Sequence, residues 1–505
     1  MSRRLFLASL ILVMPLQLFA DGTKPNVVLI YADDIGYGDV SCYGAKRVTT
    51  PHIDRIAAEG IRFTDGHCSS GTCTPSRFSM LTGEYAFRKS GTGVLPGNAP
   101  LIIPPTTHTL AKVFQKAGYT TGVVGKWHLG LGGPNGPDWN GVIQPGPAEV
   151  GFKESFIIPA TGDRVPCVYV ENGRVAGLDS KDPIEVSFKK KVGNEPTGKE
   201  NPELLRMRWH HGHDMTIVKG ISRIGWMTGG QAALWDDETM ADTLAQKATR
   251  FIKNHKKDPF FLYFGLHDIH VPRVPHPRFV GKSGMGPRGD CILQADFCVG
   301  EILKTLEKHD LTKNTIVIFT SDNGPVINDG YYDDAVVKLG DHKPAGPLRG
   351  GKYSNFEGGT RIPFLLRWPA KIKPSVSHAL VCQVDFLSSF ASLLGQTLTE
   401  GDSPDSLNTL PALLGHDPKG REFLIEHANR LSLRQGTWKY IEPGKGPKRA
   451  QGTDTELGQD PAGMLFDLSQ DLGETNNLIA TLPERGMAMA AKLLELRSNK
   501  SQRNP

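Results

Sequence analysis

At 505 residues, with 39% hydrophobic and 22% charged residues, 57 Gly and 36 Pro, the chain has the composition of a large, loop-rich globular protein, which excludes a fibrous or disordered one. Its formal net charge of +5 is too small a surplus to point to nucleic acid; solvated surface charge accounts for it as well as an anionic substrate does. Length alone suggests about three domains, although large α/β enzymes often keep most of such a chain in one.

Residues 1–20 read as a signal peptide: Arg3 and Arg4 lead an apolar run from Leu5 to Phe19, closed by Ala20 before Asp21-Gly22. Export to the periplasm or the outside of the cell is expected, by an ordinary or a twin-arginine route. Pro15 interrupts the run and no later segment approaches about 18 consecutive apolar residues, so no transmembrane span is expected. In an oxidising compartment Cys42, Cys68, Cys167, Cys291, Cys298 and Cys382 could pair or stay as buried thiols.

The first strand, Asn26 to Tyr31, is a short apolar, β-branched run ending in Ala32-Asp33-Asp34. Two carboxylates there serve either as caps of a nearby turn or as hard metal ligands. A helix is expected from Thr50-Pro51 to Glu59, stopped by Gly60, then a strand at Ile61-Arg62-Phe63. The next helix opens at Cys73-Thr74-Pro75-Ser76-Arg77. Proline suits a first turn because its missing N–H needs no partner, so Cys73 falls at the positive end of the helix dipole with Arg77 nearby. That end favours an anion, and a guanidinium suits a tetrahedral oxyanion; a Cys at a helix start is also an ordinary small buried residue.

Leu110 to Lys116 is a further helix, answered by a strand from Tyr119 to Val124 that ends in Gly125-Lys126-Trp127-His128. If the chain stays extended, Lys126 and His128 point the same way and set a permanent cation beside a titratable base. Residues 150–237 have weak periodicity and carry His210-His211-Gly212-His213; long active-site loops are expected, with these histidines bordering a substrate pocket, since their spacing fits no common zinc pattern. An amphipathic helix from Glu238 to Asn254, a buried strand from Phe260 to Phe264 leading to His267-Asp268-Ile269-His270, a helix from Cys291 to His309 and a strand from Thr315 to Thr320 leading to Ser321-Asp322-Asn323 continue the pattern.

This alternation predicts an α/β fold with a large, mostly parallel mixed sheet flanked by helices. Functional groups gather outside the carboxyl ends of such strands, where Asp33, Asp34, Lys126, His128, His267, His270, Asp322 and Asn323 all lie. Gly350-Gly351-Lys352 and Glu357-Gly358-Gly359 flank a loop before a strand at Ile362 to Arg367; its glycines would let backbone approach a ligand, with Lys352 reaching toward it. After a helix from Asp385 to Leu394 the composition turns polar. A smaller subdomain is expected, with strands at Phe423 to Glu426, Leu431 to Gln435 and Trp438 to Ile441 and a helix from Pro483 to Leu496, giving the division 1–20, 21–400 and 401–505.

Cys73-x-Pro75-x-Arg77 followed by Leu81-Thr82-Gly83 resembles the signature of the type I sulfatases of the alkaline phosphatase superfamily. Gly125-Lys126-Trp127-His128-Leu129-Gly130, the Gly-Lys and Glu-Gly-Gly spacing around Lys352, and Leu465-Phe466-Asp467-Leu468 with Gly473-Glu474 and Asn477-Leu478 are similar to that family as well. The resemblance implies that Cys73 is oxidised to formylglycine by a maturation enzyme that reads the motif before folding. It also implies one bound Ca²⁺, held by Asp33, Asp34, Asp322, Asn323 and an oxygen of residue 73, a hard oxygen set that argues against zinc. The implied roles are charge balance on the sulfate by Arg77, Lys126 and Lys352, a general acid in His270 and a base in His128. Ile158-Pro159-Ala160-Thr161 resembles the loop that places a hydroxyl, here that of Thr161, on the sulfate.

The expected reaction is hydrolysis of a sulfate ester, the substrate a sulfated carbohydrate or a small sulfate ester. Trp209, Trp226 and Trp235 are candidates for stacking on a sugar, and Asp163, Arg164, His342 and Arg349 for reading its hydroxyls. A phosphodiesterase or phosphonate hydrolase of the same superfamily is the rival enzyme, for which His267 and Asp268 could serve a second ion; the rival of another class is a non-catalytic binder of sulfated glycans.

Overall fold

The computed structural model describes residues 24–399 and 401–502, so the segment read as a signal peptide lies outside the described residues. Ten strands form the main sheet, in the order 375–377, 61–63, 364–367, 315–321, 26–32, 260–265, 120–126, 154–158, 170–171 and 174–175. From 315–321 to 154–158, five adjacent strands run parallel, and antiparallel neighbours extend the sheet on both sides. Alternation along Asn26–Ala32 sends Val27, Leu29 and Tyr31 into one hydrophobic cluster and Val28, Ile30 and Ala32 into another. A strand apolar on both faces is buried between two helical layers. Helices Cys73–Thr82, Leu110–Lys116 and Phe386–Leu393 cover the first face; Pro51–Ala58, Met240–Asn254 and Gly286–Lys308 cover the second.

Two readings of the sequence change. The stretch 150–237 is mostly loop, but Glu154–Ile158 is the fifth parallel strand, with Phe156 and Ile157 buried on opposite faces. It is only five residues long and begins on a charged residue, so periodicity hides it. The long helix begins at Gly286, five residues before Cys291, with Pro287 in its first turn.

Four antiparallel strands, Phe423–His427, Leu431–Gln435, Trp438–Ile441 and Met464–Asp467, form a second sheet. Met489, Leu493 and Leu496 of the helix Pro483–Ser498 pack on it together with Tyr85, Cys382 and Val384 from the larger part of the chain. All seven cysteines are free thiols. No helix among the described residues is long and apolar enough to cross a membrane.

Candidate active site

Register decides which loops meet. Ala32 pairs with Ser321, so Asp33-Asp34 and Asp322-Asn323 leave adjacent strands side by side. Gly265 pairs with Gly125, whose φ of 99° suits glycine and whose added Cβ would lie 1.8 Å from the Gly265 carbonyl oxygen. The chains bearing Lys126-His128 and His267-His270 can therefore approach at that edge.

Lys126 ends its strand and donates from Nζ to Asp33 Oδ2 at 2.5 Å. His128 is left-handed, with φ 54°, so the chain turns after the strand and the condition under which Lys126 and His128 would share a face is not met. The turn carries His128 over to the helix start, where its Nδ1 lies 3.3 Å from Cys73 Sγ. Nε2 lies 3.0 Å from the carbonyl oxygen of Leu95, which can only accept, so the neutral ring carries its proton on Nε2 and turns the Nδ1 lone pair to Cys73. Burial, then Lys126 and Arg164, hold His128 well below the usual imidazole range. Burial pushes the Cys73 thiol up in spite of Lys126 and Lys352, so an unmodified Cys73 is a neutral thiol and a poor nucleophile.

Arg77 is fully buried and makes four hydrogen bonds: Nε and one terminal nitrogen to Asp322 Oδ2 at 2.9 and 2.8 Å, the other to Tyr263 Oη at 2.8 Å and to the Lys126 carbonyl at 3.2 Å. Its fork is spent on holding Asp322. The ammonium of Lys352 reaches Asp34 Oδ2 at 2.9 Å and Asp329 Oδ2 at 3.0 Å. His270 donates from Nδ1 to the Val271 carbonyl at 2.9 Å, which leaves Nε2 toward Asp34, 3.9 Å from Oδ2.

Asp33, Asp34, Asp322 and Asn323 are all fully buried. Asn323 Nδ2 donates to Asp34 Oδ1 at 2.7 Å, and the Asp34 amide lies 3.4 Å from Asp322 Oδ1. Asp33 Oδ1 and Asn323 Oδ1 are buried acceptors with no hydrogen-bond partner among the described residues. Each such orphan costs roughly 1–3 kcal/mol. Burial, then repulsion by Asp322 and Asp34, raises Asp33 well above the usual carboxylate range despite Lys126. Three clustered carboxylates and one amide oxygen, two of whose acceptor atoms are unsatisfied, fit a hard divalent cation.

Of His267 and Asp268, read as able to serve a second ion, Asp268 is engaged by a neighbouring side chain. Asp268 faces the Gln294 amide, 3.1 and 3.3 Å from its two oxygens, and His267 Nε2 is buried against Gly162 without a partner among the described residues. Burial pushes Asp268 up to about 7. Between the ordinary carboxylate value and pH 7 the unfolded chain gives up this proton while the folded chain keeps it, so stability falls as pH rises through that window. Asp268→Asn keeps the shape without the ionisation. It is expected to stabilise the protein by about 2 kcal/mol at pH 8 and by much less at pH 5, read from melting at both values.

Thr161, Asp163 and Arg164 do converge on the site. Thr161 Oγ1 bonds Asp163 Oδ1, the Arg164 guanidinium holds both residues at 2.6 to 3.1 Å, and His213 Nε2 lies 3.0 Å from Asp163 Oδ2. His342 and Arg349 are engaged in local ion pairs: His342 Nε2 is 2.8 Å from Asp39, which also takes Arg288, and Arg349 binds Glu456 at 2.7 Å over the Phe356 ring. Trp235 is core, with Nε1 on Asp237, and cannot stack on a sugar; Trp209 and Trp226 are half-buried. Asp329 and the Leu95 carbonyl were missed because neither belongs to a motif; both are loop groups that only the fold brings in.

A Sulfatase family model matches residues 25–396. The N-acetylgalactosamine-6-O-sulfatase of Bacteroides thetaiotaomicron is 55% identical over 463 residues, covering 91% of each chain. Arylsulfatase A of Homo sapiens is 32% identical over 502 residues, 95% of this chain and 88% of its own. A solved structure described under the metabolism of multiple glycosaminoglycans by Bacteroides thetaiotaomicron superposes with a TM-score of 0.93 at 54% identity, over 94% of this chain and all of the other. Similarity of this extent, spanning the loops that build the site, decides the matter: the chain belongs to the sulfatase family and is a sulfuric ester hydrolase.

Proposed function

We propose that this protein is an exported carbohydrate sulfatase that removes the 6-O-sulfate of N-acetylgalactosamine or a closely related sugar, using formylglycine made from Cys73 and one Ca²⁺. The observation that carries the substrate is the 55% identity, over nine-tenths of both chains, to a protein named for that activity. Export rests on residues 1–20, and the polymer that carries such sugars cannot enter a cell.

Cys73 is 2% exposed, so a maturation enzyme has to act before folding closes the site. When present, the hydrated aldehyde supplies a hydroxyl to attack sulfur and a second whose deprotonation expels sulfate. Ca²⁺ held by Asp33, Asp34, Asp322 and Asn323 supplies charge stabilisation as a Lewis acid. Around residue 73 the chain's own groups divide the work. The Nδ1 lone pair of His128, 3.3 Å from Sγ, is placed to take the proton of a hydroxyl there. Lys126 and Lys352 offset sulfate charge, while Arg77 acts through Asp322, which it orients.

His270 is held well below the usual range by burial and then Lys352, so it is neutral at rest. A bound sulfate ester brings negative charge that raises it again, and protonated Nε2 then faces the leaving oxygen as general acid.

The test compares defined sulfated saccharides with a chromogenic aryl sulfate, for the wild type and His270→Ala. The wild type is expected to prefer 6-O-sulfated N-acetylgalactosamine by kcat/KM, and His270→Ala to lose roughly 10²-fold or more on the sugar but much less on the aryl ester, whose acidic leaving group needs little protonation. An aryl sulfate preferred over every sugar would refute the carbohydrate reading, and equal losses on both would remove His270 as the acid.

A further inference from the structure

Tyr353, next to Lys352, has φ 73°, a left-handed conformation that a bulky aromatic residue rarely adopts. Its backbone is fixed from both sides: the amide donates to the Gly71 carbonyl at 2.7 Å, two residues before the Cys73 helix begins, and the carbonyl accepts from Asn429 Nδ2 at 2.8 Å. Glycine would fill that backbone position without strain, so the side chain is what the position adds. The ring is half-buried, with Lys352 Nζ 5.4 Å from its centroid, and its hydroxyl makes no hydrogen bond among the described residues. Lys352, whose Nζ stands at the ring, bonds Asp34 and Asp329, and Gly71, which the Tyr353 amide reaches, is two residues from Cys73, so the ring stands beside the carboxylate cluster and the start of the Cys73 helix. Burial, then Asp329, pushes the phenol up, so it stays neutral.

On the mechanism proposed above a sulfate would take its partners from Lys126, Lys352 and the cation held by the carboxylate cluster. A neutral, rigid group with one apolar face and one free hydroxyl suits what the sulfate is attached to: ring C–H faces pack on an aromatic plane and a sugar hydroxyl or amide bonds a phenol. Resting on the carbohydrate reading above, we propose that Tyr353 contacts the sugar that carries the sulfate and determines substrate choice, and that its strained backbone is the cost of presenting that ring beside residue 73.

The experiment uses full-length, formylglycine-bearing, Ca²⁺-loaded wild type, Tyr353→Phe and Tyr353→Gly, with kcat/KM for 6-O-sulfated N-acetylgalactosamine and for 4-nitrophenyl sulfate, and melting temperature for each protein. Tyr353→Phe keeps the ring and loses one hydrogen bond, so it should lose about 10-fold on the sugar. Tyr353→Gly should lose about 100-fold on the sugar and hold its melting temperature within about 3 °C, because relief of φ offsets the lost packing. The aryl sulfate should change by less than about threefold with either variant. Equal losses on the two substrates, or an unchanged sugar rate for Tyr353→Phe, would overturn the inference. A wild type that cleaves no sugar sulfate refutes the carbohydrate reading itself and Tyr353's role with it, an outcome distinguishable because it appears before any substitution is made.

Discussion

Cys73→Ala is expected to lower kcat by roughly 10⁵-fold, about 7 kcal/mol of transition-state stabilisation, with the melting temperature within a few degrees of wild type. The loss is large because nothing nearby can replace the nucleophile: His128 can take a proton but has no second hydroxyl to act on, and the remaining groups only bind and neutralise. The fold should survive because Cys73 is a small side chain at a helix start, and removing one sulfur leaves a void smaller than those that cost several kcal/mol. Burial already keeps the unmodified thiol protonated, so wild type made without the maturation enzyme should be nearly as inactive as the alanine variant. Peptide mass spectrometry over Thr72 to Arg77 beside steady-state rates checks both statements. An active natural enzyme carrying only unmodified Cys73 would sink the formylglycine mechanism.

Removing a charge from the carboxylate cluster should have the next largest effect. Asp322→Asn keeps the volume and an oxygen for Arg77 while deleting a metal charge; loss of stoichiometric Ca²⁺ by elemental analysis and roughly a 10³-fold drop in kcat are expected. Asp322→Ala should add about 3–5 kcal/mol of destabilisation, because the Arg77 guanidinium is fully buried and its pairing with Asp322 Oδ2 would be gone. Chelation should reproduce the catalytic loss in wild type and lower its melting temperature, since an ion that binds only the folded state stabilises it by mass action. Stoichiometric zinc, or full activity after exhaustive chelation, would exclude the Ca²⁺ reading.

A buried network joins the C-terminal sheet to the Lys352 loop. Lys439 binds Glu357 at 2.9 Å and Glu426 at 3.0 Å, Arg434 binds Glu357 at 2.6 Å, and the Glu357 amide donates to Glu474. Directly after Glu357, the Gly358 carbonyl oxygen would lie 1.7 Å from any Cβ at position 324, and the Gly324 amide donates to Gly359. The second sheet thus fixes the backbone beside Asn323 while contributing no group to the carboxylate cluster.

The sequence by itself determined the fold class and the family, because both are written locally. Apolar runs that end in Asp33-Asp34, Lys126-x-His128 and Asp322-Asn323 mark strand ends, and Cys73-x-Pro75-x-Arg77 at a helix start carries the resemblance to the sulfatases, which implies a nucleophile there. Period and motif are short-range properties, so one sequence suffices to see them. The tertiary structure alone decided partnership. It turned the chain at His128 instead of extending it, and assigned Arg77 to Asp322 and Asp329 to Lys352. It also paired His342 with Asp39 and Arg349 with Glu456 and set Trp235 in the core. Those outcomes depend on which loops the strand register sets side by side and on burial, which forces every enclosed charge or donor to find a partner. Neither register nor burial is carried by the residue itself: the same Arg or His can pair, stack or bind substrate, and only its neighbours in space choose among them.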